Sequence, residues 1–522
     1  MQTLEQIQSF KGRYPKQIWY MFLIEMWERF CFYGMRGVLT IFMVDSMRGG
    51  LGLSEHDGQI KYGTIQAFVY AFTFLGGIFA DKILGFKKSL VFGALVMIAG
   101  NFLIAANPQQ FFYWGITCSV IGTGFFKPNI TSMVGFLYKD GDERRDAGFS
   151  LFYSGINLGA FFGGIVCVYL GKSPDWGWAY AFIASGIVMI IGLITFLLTR
   201  KYFKPIGNKP GSNEELQVTD ISNTLQVTQA TVRTGNNAPW KEYAVYAGAI
   251  LAIPLILILI KNANFTQLFM YVLAAVAVIY FLFEVFRQKE EGAKPKLFAA
   301  FIFIFFYFVF ETFFEQAGGS LAIFAEKNLS HTMFSFLNMD PNMVNNSANS
   351  FFIIFLGLVM GMFWIWLSKK KAEPNAIIKF GISFLFMALS YYFFFYLRYT
   401  ANGQGTEASL GIFTLAYLLI SIAEICLSPI GMSIVTKLSP KKIQGLMIGL
   451  WFLASAYGQY GAGLLGAAMA SETTKKVSAN ADIDRLINYT QGYKEMAVMC
   501  VIAGVLLIIC SPFIKKLMRG VK

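Results

Sequence analysis

Charged residues are scarce in this sequence. Only 14% of the 522 residues are Asp, Glu, Lys or Arg, whereas 56% are hydrophobic. A soluble domain carries about 25% charged residues, because its surface must be solvated. Long apolar runs stand where charges are missing, and a helix needs about 20 apolar residues to cross a bilayer. The scarcity of charge therefore excludes an ordinary soluble domain and predicts an all-α integral membrane protein.

Histidine and cysteine are also few. The two histidines, His56 and His331, fall in predicted loops on the outer side, so proton transfer inside the membrane is left to carboxylates. This placement argues against a membrane enzyme with a histidine base or a histidine metal cluster. The six cysteines lie in apolar segments without metal-ligand spacing and are interpreted as small buried hydrophobes. We expect no cofactor and no bound metal.

The positive charges alternate along the chain with the apolar runs. The net charge is +13, which in a soluble protein would suggest nucleic acid. Here most Lys and Arg fall in every second loop, as the positive-inside rule requires. This pattern predicts a cell (inner) membrane protein with both termini in the cytoplasm and no nucleic-acid partner. The polar N-terminus lacks a small-residue cleavage site, so we expect no removable signal peptide.

Hydrophobic length predicts about fourteen membrane-spanning helices. The predicted spans are 17–46, 60–81, 88–106, 110–138, 146–171, 178–199, 241–260, 265–286, 297–325, 345–368, 373–398, 407–436, 443–470 and 491–514.

A polar insert divides these spans into groups. Residues 200–240 are rich in Gly, Pro, Asn and charge, and we interpret them as a cytoplasmic linker after an N-terminal six-helix bundle at 1–199. Two helices at 241–290 have almost no polar residue in mid-span and predict an inserted peripheral hairpin. A second six-helix bundle is predicted at 291–522. Six plus six helices is the plan of the major facilitator fold.

The first predicted span carries a stripe of charged and aromatic side chains. A charge at the bilayer centre costs at least ~2.5 kcal/mol on insertion scales, so this stripe must face protein or water. It is either a structural ion-pair network or a site for substrate and protons. The stripe residues recur every three or four positions and are Glu25, Glu28, Arg29, Phe32, Tyr33 and Arg36.

Other spans add Lys127, Glu311, Glu315 and Glu424. Together with the stripe they give five carboxylates and three cations, a net charge of −2 if all are ionised. Removal from water and like charge both favour the protonated form of a carboxylate. We hypothesise that one or two of these glutamates hold a proton in at least one state, as coupling to a proton gradient requires.

Further polar residues occur within apolar runs, several of them paired at helical spacing. Each of them, taken alone, predicts a hydrogen bond between helices. They are Tyr153 with Asn157, Glu424 with Ser428, Trp451 with Ser455, and the isolated Tyr70 and Asn349.

Several motifs together resemble the proton-dependent oligopeptide transporter family. The resemblance covers nearly the whole chain, and the motifs are specific in combination. They are EMWERF at 25–30, GIFAD at 77–81, GTGFFKPN at 122–129, FYSGINLG at 152–159, EQ at 315–316, EICLSPIG at 424–431 and GLWF at 449–452.

The resemblance implies a major facilitator fold with a central cavity, and import of di- and tripeptides with protons by alternating access. The expected partners are these peptides, protons and the lipid bilayer, with the monomer as the functional unit. The implied roles are as follows. The peptide carboxylate is bound by Arg29, Tyr33 and Lys127, and the amino end is bound by Asn157, Asn349 and Glu424. Pockets for the peptide side chains are lined by Tyr70, Phe314 and Trp451. The gate pairs are Arg36–Glu315 and Lys127–Glu424, and proton coupling is served by Glu25, Glu28, Arg29 and Glu315.

The chain departs from the family pattern at a few positions. Phe32 stands where tyrosine is frequent, Ser350 where proline is common and Gln459 where asparagine is expected. Glu311 occupies a position often filled by tryptophan and adds a carboxylate near the cavity. This addition could alter the substrate range or the number of protons transported.

Two other functions compete with that of a peptide symporter. A transporter of the same fold could carry nitrate or a peptide-like drug, although an acidic cavity without a histidine argues against nitrate. A membrane receptor or enzyme would be expected to have a sizeable soluble domain or a catalytic cluster, and the sequence shows neither.

Overall fold

The protein is built almost entirely of helices. The computed structural model describes residues 4–139, 141–208, 239–334, 336–401, 406–440, 443–475 and 481–521. The helices up to the long polar insert and just after it are α1 Leu4–Gln8, α2 Lys16–Val44, α3 Glu55–Phe79, α4 Phe86–Ala106, α5 Pro108–Gly135, α6 Arg144–Lys172, α7 Trp178–Thr199 and α8 Pro239–Lys261. The others are α9 Ala263–Arg287, α10 Ala293–Phe314, α11 Ser320–Asn328, α12 Pro341–Lys369, α13 Ala376–Tyr396, α14 Leu410–Leu438, α15 Gln444–Lys475 and α16 Ala481–Leu517.

Fourteen of the helices in the described residues have 21 or more residues, one for each predicted span. Eleven candidate spans in the described residues are long and apolar enough to cross a membrane. The remaining three, α2, α5 and α15, have 28 to 32 residues but are not among those eleven spans, and α2 carries the charged stripe. The all-α membrane class predicted from the sequence is confirmed.

Polar residues at the ends of the apolar runs fix where several helices begin. Asn107, Asn375 and Ser409 each accept a hydrogen bond from a backbone N–H in the first turn of the helix that follows. Asp340 does the same for α12, whose first residue is Pro341. These caps explain why α12 begins four residues before its predicted span and α14 begins three residues after.

Some sequence predictions were wrong in detail. The predicted span 297–325 is interrupted, because α10 ends at Phe314 and a 3-10 turn at Glu315–Gly318 precedes α11. Helix α16 begins at Ala481, ten residues earlier than predicted. His56 lies in the first turn of α3 rather than in a loop. A two-residue strand pair, Thr332–Met333 with Leu337–Asn338, was not predicted. Most of the predicted linker, residues 209–238, lies outside the described residues.

The chain folds into two compact units. The first comprises residues 1–38, 47–50 and 68–263. Its helices approach closely at glycines, and the Gly93 and Gly122 backbones meet between α4 and α5, as do those of Gly100 and Gly115. Membrane helices pack well at small residues, because the backbones can come into contact.

The second unit comprises residues 39–46, 51–67 and 264–522. Its core includes the buried faces of α10, α13, α14 and α16. Buried serines connect α13 to α14, with the Ser383 hydroxyl donating to the Ala423 carbonyl at 2.7 Å and that of Ser390 to the Ala416 carbonyl at 2.7 Å. Gly63 of α3 contacts Gly463 of α15 through the backbone.

Helices α8 and α9 bury little of their surface. Only 28% of the apolar stretch of α8 and 22% of that of α9 lie inside the protein, and Leu251 of α8 is 73% exposed. In the first unit, Tyr246 of α8 packs against Phe92 of α4. In the second, the ring of Phe281 of α9 stacks on that of Phe301 of α10. The exposed apolar faces are suited to contact with lipid.

Candidate functional site

The charged stripe of α2 holds a buried ion-pair cluster. Glu25, Glu28 and Arg29 are each exposed by 1% or less. Arg29 Nε lies 2.9 Å from Glu25 Oε1, and Arg29 Nη2 lies 2.5 Å from Glu28 Oε2. The guanidinium is thus shared by two carboxylates. A buried charge is costly unless it is paired, so these three groups depend on one another.

The glycines of α6 bring α2 close enough to bury this cluster. Gly155, Gly159 and Gly163 recur every fourth residue on one face of α6. A Cβ atom at Gly159 would overlap the Met26 carbonyl oxygen and lie 2.9 Å from the Cβ of Arg29. The FYSGINLG motif therefore contributes a packing surface that places the Arg29 side chain.

The carboxylates of the cluster retain oxygens that could accept a proton. Glu25 Oε2 and Glu28 Oε1 have no hydrogen-bond partner among the described residues. Each lies on a carboxylate whose other oxygen contacts Arg29. A proton bound there would remove one of the two negative charges facing the guanidinium.

Four further cationic or aromatic groups of the first unit are half-buried. Lys127 Nζ lies 4.4 Å from the centre of the Tyr70 ring, and Arg36 Cζ lies 5.6 Å from that of Tyr33. Both arrangements are cation–π contacts, in which the ring face attracts the cation. The structure thus brings together Lys127 and Tyr70, which the sequence analysis treated separately.

The sequence predicted a hydrogen bond from Asn157 to another helix, whereas the structure shows one within α6. Its Nδ2 donates to the Tyr153 carbonyl at 3.0 Å, one turn back in α6. Asn157 is 5% exposed, whereas Tyr153 is 42% exposed. The i, i+4 spacing of the two residues here reflects a bond within one helix.

In the second unit Asn349 and Glu424, which were each singled out from the sequence, are in contact. Asn349 Nδ2 of α12 donates to Glu424 Oε2 of α14 at 2.9 Å, and the Ser421 hydroxyl donates to Asn349 Oδ1 at 2.6 Å. Ser428 follows one turn after Glu424 and is half-buried. The interhelical bond predicted for Asn349 is confirmed.

An aromatic stack joins α10 to α15. The rings of Tyr307 and Trp451 lie 3.7 Å apart and nearly parallel, and the Ser455 hydroxyl donates to the Tyr307 hydroxyl at 2.9 Å. Tyr307 was not singled out from the sequence. Its position one turn before Glu311, on the same face of α10, could have identified it from the sequence.

Glu311 lies in the last turn of α10, and Glu315 directly follows the helix. Glu311 is 7% exposed and Glu315 is 4% exposed. Gly458 of α15 leaves no room for a side chain against Glu311, so Glu311 lies at the interface of α10 and α15. Glu315 begins the 3-10 turn, and the preceding Phe314 stacks on Phe310.

Two polar residues near these groups, Tyr417 and Asn345, were missed by the sequence analysis, and Gln316 entered it only as part of a motif. The Tyr417 hydroxyl donates to Asn345 Oδ1 at 2.6 Å, and Asn345 Nδ2 donates to the Ala317 carbonyl at 2.8 Å. Gln316 Nε2 donates to the Ala462 carbonyl at 3.0 Å. Asn345 lies one turn before Asn349, and this spacing could have identified it.

The two predicted gate pairs join residues of different units. Arg36 and Lys127 belong to the first unit, whereas Glu315 and Glu424 belong to the second. Both pairings stay predictions. Within the described part of the chain, no three His, Cys, Asp or Glu side chains converge as metal ligands would.

Comparison with known proteins identifies the group to which this chain is related. The model of the POT family matches residues 87–485. The peptide transporter YePEPT of Yersinia enterocolitica is 32% identical over 465 residues, 85% of this chain and 86% of that protein. Dipeptide and tripeptide permease B of Xenorhabdus bovienii is 28% identical over 509 residues, 97% of this chain and 96% of that protein. A crystal structure of a peptide transporter POT in complex with sulfate has a TM-score of 0.79 at 28% identity and covers all of both chains.

The helical architecture, the buried charges and these likenesses define a membrane transporter of the major facilitator fold. The chain belongs to the POT family. The fold and the family predicted from the sequence are thereby confirmed.

Proposed function

We propose that this protein is a symporter that imports di- and tripeptides together with protons. The observation that carries the proposal is the buried cluster of α2, in which Glu25 and Glu28 share Arg29. The relatives named as a peptide transporter and as a dipeptide and tripeptide permease support peptides as the substrate class.

A zwitterionic peptide needs cations at one end and a carboxylate at the other. We propose that Arg29, Tyr33 and Lys127 receive the peptide carboxylate. The amino end would be received by Asn157, Asn349 and Glu424, of which the last two already contact each other at 2.9 Å. Arg29 and Lys127 lie in the first unit and Glu424 lies in the second.

Side chains of varied size require pockets with few obligatory hydrogen bonds. Tyr70, Phe314 and Trp451 are proposed to line them, with Tyr307 added because it stacks on Trp451. Tyr153, Ser428 and Ser455 are proposed as polar contacts around the peptide. Arg36–Glu315 and Lys127–Glu424 are proposed to alternate as gates.

Proton coupling follows from competition for Arg29. When Glu28 is ionised, Arg29 is neutralised by carboxylates of its own helix. A proton on Glu28 would release part of that positive charge for the peptide carboxylate. Glu25 and Glu315 are proposed to take part in the same relay, and Glu311 gives a further buried acid.

The proposed organisation keeps the predicted boundaries. Two six-helix bundles at 1–199 and 291–522 flank a linker at 200–240 and a hairpin at 241–290. The monomer is proposed as the functional unit in the inner membrane, with both termini in the cytoplasm, as the distribution of Lys and Arg indicates.

Uptake into liposomes with an imposed proton gradient tests the proposal. Dipeptides and tripeptides should accumulate when the outside is acidic, and nitrate should not compete with them. Liposomes with the gradient collapsed by an ionophore give the control. Accumulation of nitrate alone, or equal peptide accumulation in both preparations, would contradict the proposal.

A further inference from the structure

A cavity with a distinct chemistry lies in the first unit. Its volume is about 490 Å³, and α4, α7 and α8 form its walls. None of its lining residues belongs to the proposed peptide site. Its charged lining residues are Lys87, Lys88 and Arg200.

The described lining residues of this cavity include more cations than carboxylates. Lys87 Nζ donates to two neutral oxygens, the Lys204 carbonyl at 2.7 Å and Asn208 Oδ1 at 2.6 Å. Lys88 Nζ pairs with Glu242 Oε2 of α8 at 2.6 Å, and its side chain is still 51% exposed. Among the described residues, the lining holds three cations, one of which pairs with Glu242, and both lysines have acceptors within hydrogen-bond distance.

Most of the remaining lining is apolar. Val91 and Leu95 follow the lysines at intervals of one turn along α4, and Phe196 closes the cavity from α7. Leu95 is 52% exposed although it is apolar. The cavity thus changes from cationic at the start of α4 to apolar deeper in the helix, in the same order as a phospholipid changes from phosphate to acyl chain.

We propose that this cavity binds an anionic phospholipid of the leaflet on the Lys- and Arg-rich side of the membrane. The phosphate lies against Lys88 and Arg200, and the start of an acyl chain lies along Val91 and Leu95. Basic pockets between membrane helices are suited to such headgroups. The apolar wall favours a lipid over a free anion. The lipid would join α8 of the inserted helix pair to α4 and α7.

Native mass spectrometry of the purified full-length protein tests this site. Phosphatidylglycerol and phosphatidylcholine with identical acyl chains are titrated, with inorganic phosphate as competitor. We expect phosphatidylglycerol to bind more tightly than phosphatidylcholine and to resist displacement by phosphate. The double variant Lys88→Gln/Arg200→Gln should bind phosphatidylglycerol about tenfold more weakly or worse. The matched control, Lys201→Gln/Lys241→Gln, removes the same charge outside the cavity lining and should bind as the wild type does.

A second variant tests the apolar wall. Val91→Trp fills the cavity and leaves all the cations in place, so it should also weaken phosphatidylglycerol binding while peptide uptake shows that it is folded. Equal affinity of the double variant and its control would overturn the proposal. So would equal binding of the two lipids. Displacement by millimolar phosphate would identify a small-anion site instead.

Discussion

Arg29 has two carboxylate partners, and this arrangement determines what a change at each residue should do. Glu25 and Glu28 both lie within ion-pairing distance of its guanidinium. All three side chains are buried, so the loss of Arg29 would leave two negative charges uncompensated. Because two carboxylates face one guanidinium, a proton on either of them makes the cluster neutral.

Lys127 tests the proposed binding of the peptide carboxylate. Lys127→Ala should raise the dipeptide KM by tenfold or more, because it removes a charge-assisted contact worth about 1.5–3 kcal/mol. Tyr70→Phe keeps the ring that packs on Lys127 at 4.4 Å and should change the KM far less. Uptake kinetics in liposomes measure both. An unchanged KM in Lys127→Ala would remove this residue from the site.

Glu424 tests the proposed binding of the peptide amino group. In Glu424→Gln the amide can still bond to Asn349, which now contacts the carboxylate at 2.9 Å, but the negative charge is lost. We expect wild-type protein to prefer a free dipeptide over its N-acetylated form, and the variant to lose most of that preference. Competition by the two peptides against a labelled substrate measures it. An undiminished preference in the variant would contradict the assignment.

At the scale of elements, the α6 glycines position the cluster. Gly159→Ala should lower the Tm and reduce transport, because the added methyl overlaps the Met26 carbonyl and crowds Arg29. Overpacking of this kind costs about 1–3 kcal/mol. Gly357→Ala is the matched control, since a methyl there meets nothing within 4 Å. Equal Tm values for the two variants would show that α2 and α6 are not tightly packed.

The helix pair α8 and α9 tests the proposed organisation of the chain. Deleting 241–286 and rejoining the ends should leave peptide uptake intact, because these helices bury little surface and hold none of the proposed site residues. The variant must first be shown to be inserted and monodisperse. Loss of uptake in such a well-folded deletion would give the pair a role in transport.

The sequence predicted the elements better than the contacts between them. Apolar length located every long helix, because the bilayer demands it. It missed the break after Phe314, because one span was predicted across the polar and glycine-containing turn Glu315–Gly318. It identified Glu424 and Asn349 as polar groups in apolar runs. The stack of Tyr307 on Trp451 could not be predicted, because it depends on the rotation of α10 relative to α15.

At the scale of the whole molecule, buried acids outnumber buried bases among the proposed site residues. Five glutamates stand against Arg29, Arg36 and Lys127. A transporter with such a site gains by binding protons before or together with an anionic group. The likeness to peptide transporters and the Lys- and Arg-rich side of the chain agree with inward transport driven by the proton gradient.

Proton movement driven by peptide is the most direct measurement of the coupling. Liposomes contain the protein and a trapped pH-sensitive dye. Dipeptide is added only to the outside, with no initial pH difference across the membrane. The lumen should acidify with the wild type and with Glu290→Gln, an exposed control. With Glu28→Gln it should not, although counterflow exchange of labelled peptide should continue. Peptide entry without acidification in the wild type, or full acidification with Glu28→Gln, would contradict the account.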